Sequence, residues 1–136
     1  MKGITLGYGF CGSFCTHAVS LEVLKTLVNN GHYEIVPILS ETVCRTDTRF
    51  GKAADFKETV EAVCQHRAVC TIKDAEPLGP SNPLDVLVIS PCTGNTLAKI
   101  ASGITDTSVT MAAKAHLRSD RPLVIALASN DAMSAN

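Results

Sequence analysis

The sequence has no tryptophan, few aromatic residues and no excess of charge of either sign. Of its 136 residues, 4% are aromatic and 18% are charged, and the formal net charge is −1 at pH 7. A net charge this small gives no electrostatic attraction to nucleic acid or to an anionic membrane, and scarce aromatic rings give no surface for stacking bases. We therefore expect neither nucleic acid nor a membrane among the partners.

Long apolar runs and metal-binding cysteine spacings are also missing. No stretch is apolar enough for a membrane span or a secretion signal, so we expect a cytoplasmic protein with reduced thiols. No C-x-x-C pair or matching histidine pair occurs, which argues against a zinc site, and we expect no metal. Most cysteines are expected to pack as small hydrophobic side chains. The six cysteines are at positions 11, 15, 44, 64, 70 and 92.

What the chain does have is an alternation of apolar strand patterns with helix patterns. Hydrophobic residues make up 46% of the sequence, enough for the core of one domain. The patterns predict strands at 3–8, 33–39, 68–72, 84–90 and 122–128. They predict helices ending at Asn30-Gly31, running from about Asp55 to 66, from about 96 to 102, and from an Asp106 N-cap to about 117. The segments 41–52 and 76–83 are predicted to be connections.

The strand patterns are continuously apolar, and most are followed by a helix. This is typical of a parallel sheet covered on both faces, so we predict an α/β fold of the Rossmann-like, three-layer α/β/α type. Ligands in such folds bind beyond the carboxyl ends of the strands. Three predicted loops lie at those ends.

The first loop, residues 7–13, reads Gly-Tyr-Gly-Phe-Cys-Gly-Ser and matches G-x-G-x-x-G between a strand and a helix. Glycines allow a phosphate to approach the backbone, and a helix N-terminus offers free N–H groups. Ser13 adds a hydroxyl. The second predicted strand is followed by Ser40 instead of an acidic residue, although Glu41 is adjacent, and this favours a mononucleotide over NAD. The alternative is a tight turn with no ligand.

The second loop, residues 90–96, follows the clearest strand and reads Ser-Pro-Cys-Thr-Gly-Asn-Thr. It is polar and compatible with an anion, although Asn95 or Thr96 could instead cap the next helix. Cys92 could be an activated thiol near a helix N-terminus, but no base is evident beside it.

The third loop, residues 126–133, closes the last predicted strand with small residues and Asn130, whose amide both donates and accepts hydrogen bonds. An ordinary polar loop is the alternative. The histidines are interpreted as surface or packing residues; they lie at positions 17, 32, 66 and 116.

Taken in order, the three loops resemble those of the flavoprotein family, which includes flavin-dependent cysteine decarboxylases and flavin prenyltransferases. The resemblance rests on Gly9 to Ser13, on the Asn-Thr-Leu-Ala-Lys-Ile-Ala-Ser-Gly-Ile-Thr-Asp run ending at Asp106, and on residues 126–133. Within the family, residues 7–15 and 73–80 are most similar to the branch formed by dipicolinate synthase B subunits of spore-forming bacteria. We expect one flavoprotein-like domain over residues 1–136, truncated at its C-terminus relative to the family.

The resemblance implies FMN as cofactor, often at a subunit interface of a homo-oligomer that is a trimer or larger. It implies that Gly9, Gly12 and Ser13 hold the phosphate and that Ser40 lies beside the flavin. It also implies that Thr93, Asn95 and Thr96 line the middle of the site, and that Asn130 faces the substrate as the catalytic residue.

The implied function is a flavin-type subunit of dipicolinate synthase that acts with an A subunit in oxidising dihydrodipicolinate to dipicolinate during sporulation. The histidine that the decarboxylases of the family carry is absent from the neighbourhood of Thr71. Met111 stands where the prenyltransferases of the family carry an arginine. The alternatives are an FMN-dependent decarboxylase of a cysteine-containing substrate and a non-catalytic scaffold subunit.

Overall fold

The computed structural model describes residues 3–128. Four parallel strands form one sheet in the order β2-β1-β3-β4. The strands are β1 Ile4–Phe10, β2 Tyr33–Leu39, β3 Val86–Cys92 and β4 Leu123–Leu127. The helices are α1 His17–Asn30, α2 Glu41–Arg45, α3 Ala53–Cys64, α4 Ile72–Ala75, α5 Gly94–Ser102 and α6 Ser108–Leu117, with a 3-10 turn at Phe14–Thr16 before α1. The predicted Rossmann-like α/β fold is confirmed.

Apolar residues on the two faces of the sheet form two separate cores. Alternate residues of β1, among them Leu6, Tyr8 and Phe10, pack with α1 and α3 on one face. The other face is covered by α4, α5 and α6, with Leu87 and Ile89 of β3 at its centre. Burial on both faces explains why the strands read as continuous apolar runs instead of alternating ones.

A buried hydrogen-bond network fixes α1 to the central strands. The Tyr8 hydroxyl donates to the Ser20 carbonyl at 2.9 Å, and the Ser20 hydroxyl lies 2.5 Å from the Ser90 carbonyl oxygen. The Ser90–Pro91 peptide bond is cis. The network joins β1, α1 and β3 directly below the edge where the strands end.

Glycine stops two of the helices as the sequence predicts. Gly31 follows α1 with a φ of 81°, and Gly103 follows α5 with a φ of 74°. Both values lie in the left-handed region, which glycine adopts without steric cost.

The segment predicted as a connection over 41–52 contains a short helix, so that prediction is wrong in part. Ser40 begins α2 by accepting a hydrogen bond from the Val43 amide at 3.3 Å, and Val43 is buried in the core. The following α3 begins at Ala53 instead of Asp55. Its first amide is capped from outside the helix, because Ala53 N–H donates to the Asp47 carboxylate at 2.9 Å.

The strand predicted at 68–72 is wrong except for one residue. Val69 makes a single parallel bridge to Ile38 at the outer edge of β2. The chain then enters α4 at Ile72. This bridge places a fifth segment beside β2, on the side away from β1.

The predicted Asp106 cap of α6 is also wrong. Thr107 is the N-cap, and it forms a reciprocal capping box with Thr110. The Asp106 carboxylate instead forms an ion pair with Lys99 at 3.0 Å. Either residue type is a good cap, so the sequence did not distinguish them.

Candidate functional site at the carboxyl edge of the sheet

Backbone hydrogen bonds bring the ends of three strands together at one edge. The Cys11 amide donates to the Pro91 carbonyl at 3.1 Å, which joins the chain after β1 to β3. The Ser40 amide donates to the Phe10 carbonyl at 3.1 Å, which joins β1 to the start of α2. Because β2 lies on one side of β1 and β3 on the other, this edge is the topological switch point where ligands bind in such sheets.

The first loop offers unpaired donors. Within residues 3–128, the N–H groups of Gly12 and Ser13 have no hydrogen-bond acceptor. The Ser13 hydroxyl has one weak contact, with the Cys15 sulfur at 3.9 Å. Consecutive free N–H groups beside a hydroxyl, just before a helix, are the donor set that a phosphate needs.

Gly9 is placed differently from Gly12. The strand is longer than predicted, so Gly9 lies within β1, paired in register with Ile38 and Ile89 on its two neighbours. Gly12 lies in the loop, where a Cβ would meet only ordinary contacts, the nearest at 3.7 Å from Thr42. The loop therefore consists of residues 11–13, and Gly9 is part of its supporting strand.

Ser40, which directly follows β2, is buried, with 7% of its surface exposed. Its hydroxyl oxygen accepts the Val43 amide, so the hydroxyl serves as a helix cap. The Ser40 side chain therefore lies at this edge as expected, and its hydroxyl proton remains available to a ligand.

In the loop after β3, the helix cap is Thr93 and not Asn95 or Thr96. The Thr93 hydroxyl accepts the Thr96 amide at 3.1 Å and donates to the Thr96 hydroxyl at 2.8 Å. Asn95 is exposed in the first turn of α5. Asn130, the predicted catalytic residue, lies outside the described residues.

Two buried thiols lie under this edge. The Cys92 sulfur lies 3.6 Å from the Thr93 carbonyl oxygen. The neighbouring Cys11 thiol and burial both raise the pKa of Cys92 above its ordinary value. A thiol held protonated is a poor nucleophile, which argues against Cys92 as an activated thiol.

His17 is a residue of this edge that sequence reasoning missed. Its Nε2 lies 2.7 Å from the Cys11 carbonyl oxygen, and its ring stacks on Phe56 with centroids 4.8 Å apart. Burial lowers the pKa of His17, so the neutral ring donates from Nε2 and Nδ1 is left as an acceptor. No sequence signal identified this role, because the partner is a backbone carbonyl brought close by the fold.

A cleft of about 470 Å³ opens beside the first loop. Phe14 and Cys15, which follow the loop, contribute to its lining, and the cleft lies between α1, α2 and the start of α3. His17, Phe50 and Phe56 are among its lining residues, together with the charged Lys52 and Asp55. This volume lies in the range of small-molecule sites.

Among residues 3–128, no group of three or more histidine, cysteine, aspartate or glutamate side chains is arranged to hold a metal ion. None of the helices in the same range is long and apolar enough to cross a membrane.

Comparisons with known proteins identify the family of this chain. The dipicolinate synthase B subunit of Bacillus subtilis (strain 168) is 42% identical over 136 residues, which cover all of this chain and 68% of that protein. The chain belongs to the flavoprotein family. The family model described as Flavoprotein matches residues 71–136, which include the loop after β3.

Solved structures agree with the assignment. The crystal structure of the dipicolinate synthase B subunit from Bacillus halodurans C has a TM-score of 0.85 and 37% identity, covering 99% of this chain and 69% of that one. The FMN-dependent cysteine decarboxylase SpaF has a TM-score of 0.71 and 33% identity, covering 98% and 73%. The predicted membership of the flavoprotein family is therefore confirmed.

Proposed function

We propose that this chain is the flavin-type subunit of a dipicolinate synthase and that it holds FMN at the carboxyl edge of its sheet. The observation that carries the proposal is the pair of unpaired N–H groups at Gly12 and Ser13, beside the Ser13 hydroxyl, at the switch point of the sheet. The Bacillus subtilis relative, 42% identical over the whole chain, supports the choice of reaction.

These residues fit a phosphate-bearing cofactor. The Gly12 and Ser13 amides and the Ser13 hydroxyl would bind the phosphate, and Ser40 would lie beside the flavin. Thr93, Asn95 and Thr96 would line the middle of the site. Gly9 supports the loop from β1, and Asn130 is proposed to face the substrate.

When bound, FMN supplies a conjugated ring able to accept a hydride. The side chains of this edge offer hydroxyls and amides that orient and polarise a substrate. His17 is already committed to the Cys11 carbonyl through Nε2. We therefore propose that the A subunit provides the further groups that oxidation of dihydrodipicolinate to dipicolinate needs, a reaction that belongs to sporulation.

Flavin binding is tested by titrating FMN into the wild-type chain and into Ser13→Asp, following flavin fluorescence. A carboxylate about 4 Å from the phosphate repels it by about 4 kcal/mol near a protein surface, so we expect the affinity to fall by about a thousandfold. Ser81→Asp adds the same charge in the exposed connection before β3 and should bind like the wild type. Equal affinity in all three proteins would remove this loop from the site.

The reaction is tested by measuring dipicolinate formation by each of the two proteins alone and by their mixture. We expect turnover only in the mixture. Full turnover by this chain alone would refute the two-subunit model, and full turnover by the A subunit alone would leave this chain as a scaffold.

A decarboxylase of a cysteine-containing substrate is the second candidate, favoured by the 33% identity to SpaF. Thr71, Ile72 and Lys73 occupy the neighbourhood in which the resemblance places the decarboxylase histidine. We expect no carbon dioxide release from peptides with a C-terminal cysteine, and release at FMN-dependent rates would reverse the order of the two candidates.

We also propose a homo-oligomer, a trimer or larger. Val19 and Val23 of α1 are 70% and 49% exposed, and Val124 and Leu127 of β4 are 49% and 42% exposed. Apolar side chains exposed in groups are typical of surfaces that associate. Light scattering at micromolar concentration should give a mass of at least three chains, and a monomer would contradict the proposal.

A further inference from the structure

A second pair of thiols lies at the outer edge of β2. The Cys44 sulfur lies 3.8 Å from the Leu39 carbonyl oxygen. The Leu39 amide in turn donates to the Val69 carbonyl at 2.9 Å, and Cys70 follows Val69 directly. Both cysteines therefore flank the same residue of β2 and pack against the same core, and each thiol shifts the pKa of the other.

The two thiol pairs of this chain differ in access to solvent. Cys44 and Cys70 are half-buried, whereas Cys11 and Cys92 are fully buried. A small reagent can therefore reach the pair beside β2 without opening the core. The buried pair has the same chemistry without that access, so it is an internal control.

The neighbouring Cys44 thiol is the main reason why Cys70 favours its thiolate form. It holds the pKa of Cys70 below its ordinary value, and the nearby Lys57 ammonium acts in the same direction. Burial and the carboxylates of Glu61 and Glu41 oppose this shift. Cys70 is therefore the thiol of the pair better suited to attack.

We propose that Cys44 and Cys70 form a redox modification site that closes to an intramolecular disulfide when it meets a low-molecular-weight disulfide. The Cys70 thiolate attacks one sulfur of the reagent, a mixed disulfide forms, and one reagent thiolate leaves. Cys44 then loses its proton to solvent and attacks the Cys70 sulfur, releasing the second reagent thiolate. Two protein thiols are oxidised, one reagent disulfide is reduced to two thiols, and the new bond ties α2 to the segment after Val69.

The test uses the chain with Cys15→Ser, because Cys15 is an exposed thiol that would react independently. The native protein is equilibrated with glutathione disulfide, alkylated and analysed by intact mass and tryptic mapping. Trypsin places Cys44 in residues 26–45 and Cys70 in residues 68–73, apart from the peptides that carry the other cysteines. We expect a loss of two hydrogen atoms, a cross-link between these two peptides, and full reversal by dithiothreitol.

Two variants sharpen the test. Adding Cys44→Ser should stop the reaction at a glutathione adduct on Cys70 and slow alkylation of Cys70, because the thiolate of Cys70 loses the neighbouring thiol that favours it. Adding Cys11→Ser, in the buried pair, should leave the Cys44–Cys70 cross-link unchanged. An unchanged mass, glutathione adducts alone in the chain that retains Cys44, or a Cys11–Cys92 cross-link forming first would each overturn the proposal.

Discussion

His17 Nε2 lies 2.7 Å from the carbonyl oxygen of Cys11, and this contact fixes the first turn of α1 to the loop after β1. The ring also stacks on Phe56 of α3. One side chain therefore links the proposed phosphate loop to two helices on the same face of the sheet. The imidazole is neutral in this position, and that has consequences for pH.

The pKa of His17 is lowered from 6.5, chiefly by burial, although the bond to the Cys11 carbonyl opposes the shift. The unfolded chain therefore binds a proton on this imidazole near pH 6.5, whereas the folded chain does not. The contribution of the neutral His17 side chain to the free energy of unfolding is complete above that pH and is lost as the pH falls. His17→Gln keeps a donor for the carbonyl but does not titrate. We expect the difference in unfolding free energy between wild type and variant to shrink from pH 7 to pH 5 in urea titrations. A constant difference over that range would contradict the assignment.

The connection between α4 and β3 depends on close packing at Gly79. A Cβ there would lie 2.5 Å from the Ala115 carbonyl oxygen, which is backbone of α6 and has little freedom to move. We expect Gly79→Ala to lower the unfolding free energy by about 1–3 kcal/mol. Gly3→Ala, where nothing lies within 4 Å, is the matched control and should be close to neutral. Equal stability of the two variants in thermal or urea unfolding would show that the backbone of α6 can shift to make room for the added methyl group.

The capping box of α6 contributes less to the free energy of unfolding than the close packing at Gly79. The Thr107 hydroxyl accepts the Thr110 amide at 3.1 Å, and the Thr110 hydroxyl accepts the Thr107 amide at 3.0 Å. Thr107→Ala should cost about 1 kcal/mol of unfolding free energy. Thr105→Ala, in the connection before the cap, should cost much less, and a reversed order would argue that the helix begins elsewhere.

Long apolar segments made the sheet predictable. The bounds of β2 were predicted to the residue, and glycine marked the ends of α1 and α5 at Gly31 and Gly103. Short elements were less predictable, because their stability comes from distant partners. The α2 helix depends on burial of Val43, and the strand expected near Val69 is reduced to one bridge because the chain then enters α4.

The candidate site was predictable as a set of loops but not in its contacts. Glycine spacing located Gly12 and Ser13, since the pattern is carried by consecutive residues. The roles of Ser40 and Thr93 as helix caps depend on helices whose starts the sequence left open. The role of His17 could not be predicted from the sequence, because its hydrogen-bond partner is a backbone carbonyl, which any residue can supply.

The last prediction separates Gly12 from Gly9, the two glycines expected to hold the phosphate. A Cβ at Gly12 would meet only ordinary contacts, the nearest at 3.7 Å, and a Cβ at Gly9 would fit equally well, at 3.6 Å from Ile89. Both alanine variants should therefore unfold within about 0.5 kcal/mol of the wild type.

Gly12→Ala places a methyl group beside the free amides of the loop, so we expect FMN affinity to fall by about tenfold, a loss of about 1.4 kcal/mol. Gly9→Ala adds its methyl group within β1, where the backbone is already paired in the sheet, and should bind FMN like the wild type. Fluorescence titration of both variants distinguishes the two positions: a loss confined to Gly9→Ala would move the phosphate onto the strand, and a loss in neither would place it at another loop.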